Sequence, residues 1–325
     1  MEVQNAAARH FWNQKEIVVM GKERFLTRLG KNMKMHKGLY IMMIPVVLYY
    51  LVFAYYPMYG AQIAFRDYSP KLGVFHSTWV GLKHFQAFFK NVYFSRLIRN
   101  TLMINLKNLV FGFPAPILFA LLLNEVRNVH FKKFVQTVSY MPHFISTVVV
   151  AGMILQFTAT DGFITQMLTF FGFPKQNLML NPDLFQPIYV ISDIWQGLGW
   201  GSIIYIAAIS GINSELYEAA RMDGAGRFKQ AIHVTIPGIL PTIITMLVLR
   251  IGNMMNLGFE KIILLYNSSI YDTADVISTY VYRKGLVDQS YSFSTAVGLF
   301  NSGINLVLLV AANKICGRLT EYSLW

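Results

Sequence analysis

Cysteine is nearly absent from this sequence, and several catalytic and metal-binding patterns are missing as well. Cys316 is the only cysteine among 325 residues, so an internal disulfide is excluded. The seven histidines are scattered without a metal-ligand spacing, and the residues form no Ser/His/Asp constellation. A Gly-x-x-x-x-Gly-Lys-Ser/Thr phosphate loop is also missing, so we expect the chain not to hydrolyse ATP itself. We therefore predict no catalytic residue, no metal site and no bound cofactor.

Charge is scarce too. Only 14% of the residues are charged and 54% are hydrophobic, and the mean hydropathy is +0.43. Soluble domains carry about 25% charged residues. This composition indicates an integral membrane protein. Its long apolar runs predict that the fold is all-α.

Six runs between the charges reach the roughly 20 apolar residues that a transmembrane helix needs. The predicted spans cover approximately residues 39–58, 100–124, 136–158, 185–210, 237–257 and 290–313. The chain then divides into an N-terminal segment, 1–37, and a transmembrane domain, 38–325, in which a charged loop, 211–236, joins the fourth and fifth spans. An even number of spans puts both termini on one side of the membrane.

The distribution of Lys and Arg predicts that this side is the cytoplasm. With the N-terminus inside, the inner segments hold 16 of the 28 Lys and Arg residues and the outer segments hold 10, while Lys107 and Arg250 lie within spans. The bias is modest because the first outer loop is itself basic. A basic membrane protein needs no nucleic acid to explain its net charge of +12.

The N-terminal segment, 1–37, holds eight of these basic residues and no signal peptide is recognisable in it. Val18, Phe25, Leu26 and Leu29 share one face of a possible helix. An amphipathic helix lying on the anionic inner leaflet and a solvated basic tail both fit this pattern.

The charged loop predicts two short helices separated by a tight turn. Ser214 is suited to cap the first helix, with Glu215 at its positive end, and Gly224 is suited to end it. A second helix is expected over 225–235, and Pro237 then begins the fifth span at a position that a first helical turn tolerates.

This loop contains a recognisable motif. Glu218-Ala219-Ala220 is followed by Gly224 and then by Val234, Ile236 and Pro237. The pattern resembles the EAA loop of ABC importer permeases, in which a cytoplasmic coupling helix docks into a cleft of the ATP-hydrolysing subunit. The resemblance implies the six-helix, MetI-like permease fold and assigns ATPase coupling to Glu218, Ala219, Ala220, Asp223, Gly224 and Pro237.

Further motifs narrow the resemblance. The segments Trp79-Val80-Gly81-Leu82-Lys83-His84-Phe85 and Asn100-Thr101-Leu102, and the ending Tyr322-Ser323-Leu324-Trp325, resemble signatures of carbohydrate permeases. His84 stands where that family usually has Asn, and Glu321 where it usually has Gly. The ending is similar to that of a subgroup that handles complex saccharides, which implies an oligo- or polysaccharide as the substrate.

Polar and aromatic residues in the spans are candidates for a substrate pathway: Arg250, Asn253, Asn256, Asp193, Trp195, Trp200, Asn301 and Asn305. Arg250 lies roughly 20 Å beyond Pro237 along a helix, and we expect it to share a face with Asn253. A guanidinium within the bilayer needs a partner, which an acidic substrate in a water-filled path or an ion pair with Asp193 would supply. Trp195 and Trp200 fit saccharide stacking, an interfacial belt or packing.

The resemblance also implies partners and a location. It implies a second permease subunit, forming a heterodimer, two ATP-binding subunits that hold ATP and Mg, and an extracytoplasmic solute-binding protein. The chain would be a multi-pass protein of the bacterial inner membrane, in contact with lipid, with both termini in the cytoplasm.

The nature of the cargo stays open between two kinds of saccharide. Arg250, Lys107 and the basic outer loop favour an acidic saccharide such as alginate or another uronate, and a neutral oligosaccharide is the alternative. Two different classes of protein also fit a helical membrane chain, namely a membrane-embedded enzyme of glycan or lipid metabolism and a membrane scaffold.

Overall fold

A computed structural model describes residues 32–320 and 322–324 of the chain. The predicted basic segment, 1–37, therefore lies almost wholly outside the described residues, and so do Glu321 and Trp325 of the C-terminal motif. The chain divides into two compact units, one ending at Ala61 and one beginning at Gln62.

Helix α1 (Lys37–Phe65) makes up most of the described part of the first unit. None of the residues from Lys37 to Tyr50 is buried, although they are almost all apolar. A helix that is hydrophobic on every side requires an apolar environment. Membrane lipid or another chain must therefore supply that environment for α1.

Five stretches of the described residues are long and apolar enough to cross a membrane: α1, α4 (Phe94–Glu125), Thr147–Phe170, α10 (Arg227–Gly252) and α14 (Tyr291–Thr320). The third stretch divides at a turn into α6 (Thr147–Thr158) and α7 (Phe163–Phe170). The predicted fourth span lies in α8 (Pro182–Ser210), whose 29 residues are long enough but include two aspartates and three glycines. The predicted class of helical membrane protein is confirmed.

Shorter elements fill the connections. They are the strands β1 (Arg66–Asp67) and β2 (Thr78–Trp79) and the helices α2 (Gly73–His76), α3 (Lys83–Phe89), α5 (Val129–Tyr140), α9 (Ser214–Met222), α11 (Phe259–Leu265), α12 (Tyr271–Ala274) and α13 (Ile277–Tyr282). The strands pair antiparallel, with Arg66 opposite Trp79. The segment from α11 to α13 follows α10, so it lies at the opposite end of that helix from α9.

The predicted third span, 136–158, is interrupted in the structure. Helix α5 ends at Tyr140, a 3-10 turn covers Met141–Phe144, and Ser146 caps the N-terminus of α6 by accepting a hydrogen bond from the amide of Val149. Proline cannot donate a backbone hydrogen bond and clashes with the preceding turn of a helix. Pro142 therefore explains why the chain changes direction here.

Three long helices widen into a π turn next to a proline. The π turns cover Leu51–Tyr55, Asn108–Gly112 and Ala231–Thr235, and they precede Pro57, Pro114 and Pro237. In a regular α-helix the proline ring would clash with the carbonyl four residues earlier. In each of these helices that carbonyl belongs to the π turn. The widened turn makes room for the ring, so the helix continues. The separate helix predicted over 225–235 is consequently corrected to the first turns of α10.

The second unit is packed around α8, which contacts α4, α5 and α10, while α14 runs along α10. Helices α5 and α8 cross at Gly199, where an added Cβ would lie 2.2 Å from the carbonyl oxygen of Ser139. Only a glycine permits this approach. The largest buried cluster joins Phe185 and Tyr189 of α8 to Ile262 of α11 and Ile270. This packing holds the end of α10 close to the middle of α8.

Candidate functional site

A cavity of about 350 Å³ lies between α4, α8 and α10. Its polar lining consists of Asn108 on α4, Asp193 and Tyr205 on α8, and Arg250 on α10, and most of the remaining wall is apolar. The structure thus brings together two of the predicted pathway residues, Asp193 and Arg250. Within residues 32–320 and 322–324, His, Cys, Asp and Glu side chains form no group of three or more that could hold a metal ion.

Asp193 is already engaged by two neighbours. Its Oδ1 lies 2.6 Å from the Nζ of Lys261, whose side chain is only 7% exposed, and its Oδ2 accepts a hydrogen bond from the amide of Asn108. Lys261 also lies over the ring of Tyr189, 5.0 Å from its centroid. The ion pair that the sequence predicted as an alternative, between Asp193 and Arg250, is therefore replaced by a pair between Asp193 and Lys261.

The side chain of Arg250 is exposed, lines the cavity, and makes no hydrogen bond or ion pair with any described residue. Lys261 and Asp193 neutralise each other, so the charge of Arg250 is the uncompensated charge of this wall. A guanidinium presents a planar fork of N–H donors that matches a carboxylate in two parallel hydrogen bonds. The cavity can therefore hold one carboxylate.

Asn108 owes its position to the π turn of α4. The residue is 3% exposed and its amide points at Asp193 across the contact between α4 and α8. Gly112 closes the same π turn, and a Cβ there would lie 3.0 Å from the Oδ1 of Asn108. The glycine leaves the space in which the asparagine amide sits.

Three of the predicted asparagines form a track that leads away from Arg250. Helix α10 ends at Gly252, which corrects the predicted end near residue 257, so Asn253 caps the helix and Asn256 lies beyond it. Asn256 donates to the Oδ1 of Asn253 over 3.4 Å and accepts from Asn301 over 2.9 Å.

Asn305 is the most buried of the four predicted pathway asparagines. It is 8% exposed, and its Oδ1 accepts a hydrogen bond from the backbone amide of Met255. This bond fixes the chain that leaves α10. This contact is structural, and the predicted pathway role of Asn305 stays a prediction.

The two predicted tryptophans lie on different parts of α8. Trp200 is about half exposed and stacks on the ring of His143, with centroids 4.6 Å apart and planes at 3°. Phe144 packs edge-on against the same indole. Trp195 lies against α5 in a separate, apolar cavity lined by Phe134 and Pro142. The flat face at the break between α5 and α6 thus comes from Trp200.

The charged loop forms the predicted short helix, α9, on the surface. The N-cap is Asn213 rather than the predicted Ser214, because the Asn213 side chain accepts from the amide of Glu215. Gly224 has φ +75°, and the amide of Ala225 closes the turn on the carbonyl of Ala220 over 2.8 Å. The predicted role of Gly224 in ending the helix agrees with this geometry.

Helix α9 contacts the first turns of α10, and most of its side chains are exposed. The hydroxyls of Tyr217 and Thr235 lie 3.0 Å apart. Glu218 and Ala219 are exposed, as are the apolar side chains of Leu216 and Met222. An exposed helix with both charged and apolar side chains is suited to bind another protein.

One polar cluster that was not predicted from the sequence lies at the end of the molecule opposite α9. Asp275 is fully buried, binds Arg283 through both carboxylate oxygens at 2.8 Å and Arg96 at 3.2 Å, and accepts a hydrogen bond from Thr279. Burial alone would lower the pKa of Arg283, but hydrogen bonds with Tyr266 and Asp275 raise it. The spacing of Asp275, Thr279 and Arg283, four residues apart each time, was the available signal.

Comparison with known proteins identifies relatives along almost the whole chain. Residues 112–313 match the family described as "Binding-protein-dependent transport system inner membrane component". The polygalacturonan/rhamnogalacturonan transport system permease protein YteP of Bacillus subtilis (strain 168) is 44% identical over 311 residues, which are 95% of this chain and 97% of the relative. Protein LplB of the same organism is 46% identical over 294 residues, 90% of this chain and 92% of that protein.

Two solved structures share the fold. A chain of a bacterial ABC transporter involved in the import of the acidic polysaccharide alginate is 44% identical and superposes with a TM-score of 0.82, over 90% of this chain and 99% of that chain. A chain of the bacterial alginate ABC transporter in complex with an alginate pentasaccharide-bound periplasmic protein is 43% identical. It superposes with a TM-score of 0.83, over 91% of this chain and 100% of that chain.

These matches confirm the resemblance seen in the sequence. The family consists of inner membrane components of transport systems, and YteP is by name a transport system permease protein. The alternative interpretations as a membrane-embedded enzyme or a scaffold are therefore wrong. The family model matches residues 112–313, and the two relatives are 44% and 46% identical over nine-tenths of the chain or more. These matches assign the chain to one protein family. The chain belongs to the binding-protein-dependent transport system inner membrane components, the permease subunits of ABC importers.

Proposed function

We propose that this permease imports an acidic oligo- or polysaccharide and that Arg250 binds the carboxylate of a uronate ring during its passage. The observation that carries the proposal is the unpaired guanidinium of Arg250 in a cavity whose other charges are already paired. A neutral sugar would leave that charge without a partner inside the membrane domain, at a cost. A uronate carboxylate would supply the partner.

The known relatives support an acidic cargo. The alginate importer is described as importing an acidic polysaccharide, and the name of YteP includes polygalacturonan, a polymer of uronate rings. Both descriptions concern the cargo of the relatives themselves. They agree with the independent argument from Arg250, which depends on the charges of this chain alone.

In the proposed importer the chain forms half of the pathway, and a second permease subunit forms the other half. An extracytoplasmic binding protein delivers the saccharide, and two ATPase subunits bind ATP and Mg in the cytoplasm. The end of the molecule that carries α9 faces the cytoplasm together with both termini. The end with the Asp275 cluster faces outwards, where the binding protein docks.

Helix α9 would transmit the movement of the ATPases. The Glu218 carboxylate is exposed and has no partner among the described residues, so it is free to accept charge-assisted hydrogen bonds from a docking cleft. The small side chain of Ala219 permits close approach. Through the contact between Tyr217 and Thr235, a displacement of α9 reaches the first turns of α10, the helix that carries Arg250.

The test is the ATPase activity of the complete importer in lipid, with its binding protein, against oligosaccharides of equal length that are either acidic or neutral. We expect stimulation by uronate oligosaccharides, and we expect Arg250→Ala to weaken it at least tenfold, the loss from removing one charge-assisted contact of about 1.5 to 3 kcal/mol. Arg250→Lys keeps the charge without the fork and should fall in between.

A neutral cargo is the alternative that this experiment separates. Stimulation by neutral oligosaccharides alone, unchanged in Arg250→Ala, would keep the importer and contradict the acidic cargo. Failure of ATPase subunits to associate with the permease would contradict the proposed import mechanism as a whole.

A further inference from the structure

Tyr205 of α8 lines the cavity that contains Arg250, and its hydroxyl is unpaired. The residue is only 3% exposed. Within residues 32–320 and 322–324 no hydrogen bond reaches the hydroxyl, yet its oxygen keeps accessible surface. Buried tyrosine hydroxyls usually have a hydrogen-bond partner. An accessible and unpaired hydroxyl at this depth therefore indicates that a polar group enters the cavity and binds it.

The cavity follows α8 and narrows towards Tyr205. Asp193, Gly197, Gly201 and Tyr205 line it at intervals of four residues, as a winding row along the helix. A Cβ added to Gly197 would meet no atom within 4 Å, whereas one added to Gly201 would lie 3.1 Å from the Cγ of Pro116 on α4. The cavity is therefore open beside Gly197 and narrow one turn before Tyr205.

Tyr205 and Arg250 lie close enough to contact the same sugar ring. Met246 of α10 lines the cavity and packs against the buried cluster that contains Tyr205. Arg250 follows Met246 by four residues, which is about 6 Å along the helix. The arginine and the tyrosine therefore line the cavity about one helical turn apart, a span comparable to one sugar ring.

The rest of the wall leaves Tyr205 as the second polar contact for such a ring. Asn108 and Asp193 are bonded to each other, and the other residues of the lining are apolar or glycine. A tyrosine hydroxyl both donates and accepts hydrogen bonds. It therefore matches a sugar hydroxyl, which does the same, while the guanidinium of Arg250 matches a carboxylate.

We propose that Tyr205 is a specificity-determining residue, whose hydroxyl binds a ring hydroxyl of the uronate that Arg250 holds by its carboxylate. This inference rests on the proposed function, and it adds an orientation. The carboxylate edge of the ring points to Arg250, and the opposite edge, with its free hydroxyls, points to Tyr205. Because the cavity is narrow beside Tyr205, a hydroxyl fits there and an ester does not. The permease thus selects uronate rings that are unsubstituted on this edge.

The first test changes the protein and the substrate together, in the complete importer reconstituted in lipid with its binding protein. One substrate is a uronate oligosaccharide, and the other has hydrogen in place of the ring hydroxyls on the edge away from the carboxylate. We expect Tyr205→Phe to raise the half-saturating concentration of the first substrate about fivefold, as for the loss of one hydrogen bond. The value for the second substrate should stay the same.

Two controls accompany this test. Tyr205→Phe keeps the ring that packs in the buried cluster, so the thermal unfolding of the chain should change little. Tyr56→Phe removes the same hydroxyl from an exposed position on α1 and should leave the values for both substrates unchanged. Discrimination by the binding protein is common to all variants and cancels in the comparison.

The second test widens the narrow end of the cavity. A uronate oligosaccharide acetylated on the same ring edge should have a half-saturating concentration about tenfold above that of the free form in the wild type, because the acetyl group overfills the space. Met246→Ala shortens a side chain of this wall and should reduce the difference. Met103→Ala, at an exposed position on α4, should keep the difference of the wild type.

Each outcome decides one of the two proposals. Equal effects of Tyr205→Phe on the two substrates of the first test, or no effect on either, would overturn the role of Tyr205. A wild type that accepts the acetylated and the free substrate equally would do the same. Both results leave a dependence of uronate stimulation on Arg250 intact. Stimulation by neutral saccharides alone would instead overturn the proposed function, and with it the orientation between Arg250 and Tyr205.

Discussion

The Nζ of Lys261 lies 2.6 Å from the Oδ1 of Asp193, and this pair determines the charge of the cavity that contains Arg250. Lys261 is provided by α11, a short helix after α10, while Asp193 lies near the middle of α8. Without the lysine, the aspartate would be the nearest available counter-charge in the wall. With it, one positive charge is left over for the substrate.

We predict that Lys261→Met weakens both stability and transport. Removing one partner of a buried ion pair costs about 3 to 5 kcal/mol, and we expect the lower end because the Asp193 side chain is 31% exposed. The freed carboxylate would also compete with an acidic substrate for Arg250. The measurements are thermal unfolding of the chain in detergent and the half-saturating concentration of a uronate oligosaccharide.

The control for that prediction is the double variant Lys261→Met with Asp193→Asn. It removes both charges together, so it should recover most of the stability lost in the single variant and restore the charge available to a carboxylate. A double variant that transports acidic saccharides no better than Lys261→Met would contradict the proposed role of the pair.

Gly224 is the second position with a clear prediction. Its φ of +75° lies in the left-handed region, where a residue with a side chain costs about 1 to 2 kcal/mol. We predict that Gly224→Val shifts the end of α9 and lowers saccharide-stimulated ATP hydrolysis in the assembled importer. Gly226 has φ −67° and open space around it, so Gly226→Ala should keep full activity. Equal losses in both variants would contradict the argument.

Glu218 should matter for assembly and not for folding. We predict that Glu218→Gln weakens the association of the ATPase subunits about tenfold or more, because hydrogen bonds to a charged group contribute about 1.5 to 3 kcal/mol. The thermal unfolding of the isolated chain should not change, since Glu218 is exposed. Glu215 is bonded to Asn213, so Glu215→Gln is the control that leaves association intact. Co-purification from membranes measures both.

Asn305 should matter for folding and not for transport. Replacement by Leu leaves the buried amide of Met255 without an acceptor, which costs about 1 to 3 kcal/mol. We expect a lower unfolding temperature and an unchanged half-saturating concentration for every saccharide. A variant of normal stability with altered transport would return Asn305 to the pathway.

The sequence predicted the helical membrane fold and the short helix of the charged loop well, because both depend on local signals. Long stretches without charged residues mark the apolar helices. Gly224 has no side chain, so it can adopt the positive φ that the turn requires. The Glu218-Ala219-Ala220 motif lies within helix α9, which the local sequence also predicts. Boundaries were less accurate where a proline interrupts a periodic pattern, as at Pro142.

The partners of the charged residues could not be predicted, since they depend on which distant segments meet. An ion pair between Arg250 and Asp193 was one of the two alternatives for Arg250. The observed partner of Asp193, Lys261, comes from a segment that the sequence presents only as a polar loop. Asn305 showed the same difficulty. An asparagine in a membrane helix indicates a polar contact, and its position in the sequence does not tell whether that contact is a substrate or a backbone amide.

The π turns beside the prolines have a consequence for how this molecule tolerates insertions and deletions. A π turn contains one residue more than the α-helical turn that it replaces, and one residue corresponds to about 100° of rotation around the helix. Arg250 lies downstream of the π turn Ala231–Thr235 on the same helix. Deleting a single residue from that turn would rotate Arg250 by about a quarter of a circle relative to α9. One residue in the first turns of α10 therefore sets the direction in which the Arg250 side chain, more than a dozen positions away, points.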